Sequence, residues 1–302
     1  MPYRVKRASR SIFVQARGLR HHLHSWGDAS LVHAGRPALV MLHGWMDVAA
    51  SFQFIVDACA EERYLLALDC RGFGLTEWPA TDNYWFPDYL ADLDAVLDTL
   101  FPEQPVDLLG HSMGGNISMI YAGVRPARVR RLVNLEGFGM PDVPASAAPK
   151  RYATWLDQLK TPMLLRPYDS LEAVAERLMK NDPLLPPERA AWLAPHWARR
   201  NEAGLWEILG DPAHKRINAV PYRADEVLAC WKQIEAPVLW IEGDRTTVGK
   251  SWGTRYSRTE FDARFAVVRD VEKHVLSPAG HMVHHDQPEA LASILETFVD
   301  RH

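Results

Sequence analysis

The 302-residue chain has no run of about 18 apolar residues, so nothing in it reads as a membrane-spanning helix. Cysteine is scarce. Cys59, Cys70 and Cys230 are an odd number without framework spacing, which excludes a disulfide scaffold and suits small thiols kept reduced. Charge of either sign is not in excess: a net charge of -4 gives no basis for a nucleic-acid partner. The first ten residues carry Arg4, Lys6, Arg7 and Arg10, but no apolar stretch of useful length follows before Arg17. A secretory leader is therefore not expected, and the default location is the cytoplasm. Internal repeats and low-complexity tracts are also lacking, and nothing specifies an oligomeric state. What is present is ordinary for a globular chain, 47% hydrophobic and 24% charged, with length for one domain plus a sizeable insertion.

The most informative stretch spans residues 106–122. Val106, Leu108 and Leu109 read as a buried strand that stops at Gly110-His111-Ser112-Met113-Gly114-Gly115, and a helical pattern starts at Asn116. Strand, G-x-S-x-G and helix form a nucleophile elbow, a turn so tight that its serine is held in a strained conformation with the hydroxyl pointing outward. The helix start aims free backbone N–H groups at charge developing beside Ser112.

Alternation over residues 11–15 and 19–26, broken by Arg17-Gly18, predicts an opening hairpin. His22 and His24 share a face of its second strand. With no carboxylate or cysteine nearby in sequence to complete a metal site, they read as part of an exposed strand face. Strand-like segments at 38–42, 64–68, 106–109 and 131–135, the first a continuous apolar run, alternate with helical patterns, as in a parallel sheet covered on both sides. From Pro141 to Tyr222 the chain turns helical, strand-poor and rich in proline and tryptophan. This segment reads as an inserted helical cap, residues 141–222, over the carboxyl edge of the sheet, where open α/β sheets bind their ligands. Residues 1–140 and 223–302 then form the core, with further strands at 237–241 and 274–276 and a closing amphipathic helix at 288–299.

His43-Gly44-Trp45, Asp69-x-Arg71-Gly72-x-Gly74, the elbow and Gly280-His281 stand in an order that resembles the α/β-hydrolase superfamily over nearly the whole chain. Within it the chain is most similar to the serine-hydrolase-like proteins and, around residue 136, to the haloalkane dehalogenases. Those dehalogenases use an aspartate nucleophile where this chain has Ser112, so halide displacement is not implied. The resemblance implies Ser112 as nucleophile and His281 as its base. The acid is open between two positions. After the next-to-last strand the superfamily often has Gly-x-x-Asp, but here Gly243-Asp244-Arg245-Thr246 puts threonine at the acid position. The other placement, at the end of the strand after the elbow helix, falls on Glu136, which is favoured over Asp244.

Backbone N–H groups of Trp45 and Met113 would form the oxyanion hole, with His43 and Gly44 shaping the loop. Asp69 and Arg71 read as structural. His43, His111, Phe138, Trp155, Trp192 and Trp197 are the candidate pocket residues. A metal cluster of His281, His284, His285 and Asp286 lacks an established ligand spacing, and no metal or cofactor is expected. The expected activity is a serine hydrolase cleaving a small or medium apolar carboxylic ester through an acyl-enzyme, falling as pH drops through about 6–7. A carbon–carbon bond or thioester hydrolase with the same triad, and a non-catalytic binding protein, are the competing readings.

Overall fold

A computed structural model describes residues 2–247 and 252–301. Its strands, in chain order, are β1 (Arg10–Ala16), β2 (Leu19–Trp26), β3 (Leu39–Leu42), β4 (Leu65–Leu68) and β5 (Val106–His111). They continue with β6 (Val129–Leu135), β7 (Ala198–Arg200), β8 (Trp206–Ile208), β9 (Val238–Gly243) and β10 (Val271–Leu276). Eight strands form one sheet in the order β1-β2-β4-β3-β5-β6-β9-β10. The opening hairpin is antiparallel, β2 runs antiparallel to β4, and every pairing beyond β4 is parallel. This is the α/β-hydrolase fold.

Helices on both faces explain why β3 and β4 are apolar throughout. The helices of the core's first half are α1 (Gln53–Ala58), α2 (Phe86–Leu100) and α3 (Met113–Val124). Val40, Leu42, Leu66, Leu68 and Leu108 face a core shared with Leu93, Val96 and Leu97 of α2 and Ile117 and Tyr121 of α3. The alternate residues Leu39, Met41, Leu65, Ala67 and Leu109 face a second core with Ile55 and Val56 of α1. With both faces buried, a polar side chain is admitted only where it finds a partner, as Asp107 does in Arg63 and Arg130.

Between Pro141 and Tyr222 lie α4 (Ala148–Leu159), α5 (Leu171–Asn181) and α6 (Pro187–Trp197), followed by the β7–β8 ribbon. The ribbon is the one strand pairing that helical periodicity there did not announce. Val174, Leu178, Leu185, Leu193 and Trp197 share a small core with Val48, Ala50 and Phe54, which docks the segment on the loop after β3 and on α1. The closing elements are α7 (Ala224–Trp231), α8 (Arg258–Phe265), α9 (Val283–Asp286) and α10 (Pro288–Val299). Among the described residues no helix is long and apolar enough to cross a membrane.

His214 fixes the far end of the inserted segment. Its ring is sandwiched between Phe73 and Tyr84, each centroid 3.7 Å away, and Nε2 donates to the Gly72 carbonyl at 3.1 Å. The Tyr89 hydroxyl faces Nδ1 at 3.3 Å. Burial pushes the imidazole down to about 3 from an ordinary value of 6.5. The unfolded chain therefore takes up a proton that the folded chain refuses across that interval. Stability is complete above pH 6.5 and falls as pH drops toward 3. Melting of wild type and His214→Phe from pH 7.5 to 4.5 is expected to show the shallower decline in the variant, by several degrees. Parallel declines would remove His214 as the cause.

The histidines of β2 correct the expectation of an exposed face. His21 and His22 are fully buried, the first facing Asp92 of α2 and the second Asp69 on the opposite face of the strand. His22 Nδ1 lies 2.7 Å from Asp69 Oδ2, and its Nε2 lies 2.7 Å from the Ser11 hydroxyl. The Asp69 carboxylate also accepts the Ala49 and Leu75 N–H groups. This relay binds the hairpin to two loops; Ser11 sits within a strand, with no helix start beside it.

Candidate active site

The elbow is built by close approach. A Cβ on Gly110 would lie 2.2 Å from the Gly114 carbonyl oxygen, and one on Gly114 would lie 2.1 Å from that of Leu42. Only hydrogen fits at either position. Between them Ser112 has φ 51° and ψ -110°, a conformation that side chains other than glycine's adopt at a cost of about 1–3 kcal/mol. Its N–H is donated to the Leu135 carbonyl of β6 at 2.8 Å, which pins the strained bend to the sheet.

Two side chains from distant parts of the chain meet that hydroxyl. His281, in the loop between β10 and α9, places Nε2 2.9 Å from Ser112 Oγ. Its Nδ1 lies 3.0 Å from Oε2 of Glu136, so that the ring donates to a carboxylate and accepts from a hydroxyl. Glu136 follows β6 directly. It also has positive φ, 58°, and its side chain is wholly excluded from solvent. The Gly243 N–H donates to Oε1 at 2.8 Å and the Thr246 hydroxyl to Oε2 at 2.5 Å. Those two donors hold the carboxylate in the position the imidazole needs. Thr246, at the place where the acid often stands, donates to the Glu136 carboxylate instead. Sequence reasoning noted that threonine without seeing this use.

Asp244, the alternative acid, does not reach the imidazole. Its carboxylate accepts the Ser277 hydroxyl at 2.7 Å and the Ala279 N–H at 2.9 Å, holding the loop ahead of His281. The side chains of the 281–286 run also separate. His284 turns toward the His111 ring, 4.5 Å away, His285 faces Asp182 at 3.3 Å, and Asp286 accepts the Gly280 N–H.

Met113 is the first residue of α3, where N–H groups have no partner within the helix, and Trp45 lies in the loop that shapes the same cavity. That cavity has a volume of about 1170 Å³ and opens onto Ser112 and His281 between the sheet and the inserted segment. Gly44, Met46, Leu178, Leu185, Ile208 and Met282 line it along with Trp45 and Trp197.

Of the candidate pocket residues, His111 and Trp197 line the cavity and four do not. His43 is buried beneath it, with Nδ1 donating to the Gly44 carbonyl at 2.7 Å and Nε2 accepting the Cys70 N–H at 3.0 Å. Phe138 packs against Trp240 and Phe261, turned into the core by the bend at Glu136 and Gly139. Trp192 packs on Tyr3 and Phe54. Trp155 lies on α4, away from the cavity lining. Asp69 and Arg71 are structural, as expected: Asp69 ties loops together, and Arg71 pairs with Asp92.

The model of the α/β hydrolase fold family matches residues 37–288, and the chain belongs to that family of hydrolases. A serine hydrolase-like protein of Danio rerio is 26% identical over 300 residues, covering 91% of this chain and 83% of that one. A serine hydrolase-like protein of Dictyostelium discoideum is 25% identical over 277 residues, 86% of this chain and 74% of its own. Among solved structures, a thioesterase domain from the curacin biosynthetic pathway superimposes with a TM-score of 0.81 at 24% identity. The match covers 95% of this chain and 99% of that one, a likeness of fold.

Proposed function

We propose that the protein is a serine hydrolase that cleaves carboxylic esters with a small or medium apolar acyl group, with residues 141–222 acting as its cap. The observation that carries this reading is the continuous relay of 2.9 and 3.0 Å from Ser112 through His281 to Glu136. His281 Nε2 takes the Ser112 proton as Oγ bonds to the ester carbonyl carbon. The oxygen becomes an oxyanion that the N–H groups of Met113 and Trp45 receive. Each such donor contributes about 2.7–4 kcal/mol to the transition state. The carbonyl re-forms, the ester C–O bond breaks, and the alkoxide leaves with the proton held by His281. A water then gives its proton to His281 and attacks the acyl-enzyme, and the proton returns to Ser112 as the acid departs. Glu136 fixes the imidazole tautomer and offsets its charge when protonated.

A cavity of about 1170 Å³ exceeds what an acetate fills. Across p-nitrophenyl esters of increasing length, kcat/KM is expected to rise from acetyl to a medium acyl chain, with a fluorophosphonate probe labelling the protein. Labelling without hydrolysis of any ester would shift the reading to thioester or carbon–carbon bond cleavage.

A further inference from the structure

Behind the relay, three buried groups converge that ester hydrolysis does not use. Asp47 comes from the loop after β3, His111 ends β5 and His284 lies in α9; they are 6%, 1% and 0% exposed. One potential ligand atom of each lies within 4.8 Å of the other two. Asp47 Oδ2, His111 Nδ1 and both His284 nitrogens have no hydrogen-bond partner among the described residues. The remaining atoms of the first two are taken. The Ser51 hydroxyl donates to Asp47 Oδ1, and His111 Nε2 donates to the His281 carbonyl at 2.9 Å. A carbonyl only accepts, so the His111 proton is on Nε2 and Nδ1 presents its lone pair.

Two imidazoles and one carboxylate suit first-row divalent ions. A ligating histidine that gives its other N–H to a backbone carbonyl is the usual outer support of such a site. We propose that Asp47, His111 and His284 form an inhibitory site for a divalent transition-metal ion such as zinc. The ion reaches it through the substrate cavity, which Asp47 and His111 line. Zinc bonds of about 2.0–2.2 Å set tetrahedral ligands roughly 3.3–3.6 Å apart, so binding draws these donors inward by about an ångström. That movement pulls on both halves of the relay. His111 directly precedes Ser112, and the same ring holds the main chain of His281.

Inhibition rests on the serine-hydrolase reading; metal binding does not, so the two are measured apart. Chelator-treated protein is titrated with zinc chloride by calorimetry, its metal content is counted after gel filtration, and ester hydrolysis is followed in parallel. One zinc per chain is expected, with hydrolysis falling about tenfold or more and returning on EDTA addition, while magnesium and calcium have no effect. His284→Phe, which fits beside Phe52, is expected to bind zinc about 10–100-fold more weakly and to keep its esterase activity without inhibition. Asp47→Asn, which retains a partner for Ser51, is expected to weaken zinc by a similar factor and covers a poorly folding first variant. Equal zinc affinity in wild type and both variants would place the metal elsewhere, for instance on His281, and overturn the proposal. Absence of stoichiometric zinc binding to wild type would also overturn it. Should no ester be hydrolysed, metal counts in wild type and variants still decide the site.

Discussion

Ser112→Ala is expected to lower ester kcat by about 10⁴–10⁶-fold and to abolish fluorophosphonate labelling, while thermal stability holds or rises slightly. The loss is this large because, in the proposed mechanism, the side chain that is removed forms the bond to the acyl carbon. What remains is binding and the oxyanion donors, worth about 10³–10⁴ over water in enzymes of this chemistry. Alanine has the same difficulty as serine at φ 51°, so the bend itself is expected to persist, held by the Leu135 carbonyl. A variant that still turned over esters at more than a few per cent of wild type would remove Ser112 as the nucleophile. Folding is checked by the same melt, so an inactive variant is not confused with an unfolded one.

The second large effect assigns the acid. Glu136→Gln is expected to lower kcat about 10³–10⁴-fold, with KM little changed. A glutamine presenting its amide N–H toward His281 Nδ1 favours the tautomer with the proton on Nε2, facing Ser112, where it cannot act as a base. Gly243 N–H and the Thr246 hydroxyl, which now serve a carboxylate, would meet a neutral group. Asp244→Asn is expected to retain activity within a few-fold, because its carboxylate meets Ser277 and Ala279 rather than the imidazole. It should instead lower the melting temperature by a few degrees through the loop before His281. The opposite ranking of the two variants in kcat would move the acid to Asp244.

The sheet was legible because its central strands β3 and β4 are short, apolar and bounded by breaks, a pattern that burial on both faces forces on the residues themselves. The elbow was legible for a related reason: Gly110 answers a steric demand from Gly114 within five residues. Glu136 came forward because a carboxylate between a buried strand and a glycine-rich turn has few structural uses. Where the reading failed, the missing information was which way a side chain faces. Phe138 is two residues from Glu136, yet the left-handed bend turns it to Trp240. Trp192 and Trp197 share α6, but one faces Tyr3 and Phe54 and the other the cavity. His22 is polar and sits in an alternating strand, and only the fold brings Asp69 to it across 47 positions. Asp47, His111 and His284 are likewise scattered over the chain; no local spacing could have joined them.

Ser112 and Glu136 stand at the ends of neighbouring strands, β5 and β6, whose ladder runs in register from Asp107 to His111 and from Arg131 to Leu135. Their separation is therefore as rigid as the sheet, and thermal fluctuation can alter it little. The imidazole is mounted otherwise, on a connection beyond the outermost strand that is tethered by Asp244, by Asp286 and by the His111 ring. Tuning of turnover, by selection or by a bound effector, has one adjustable part to work on, and each of those three tethers is a place to grip it.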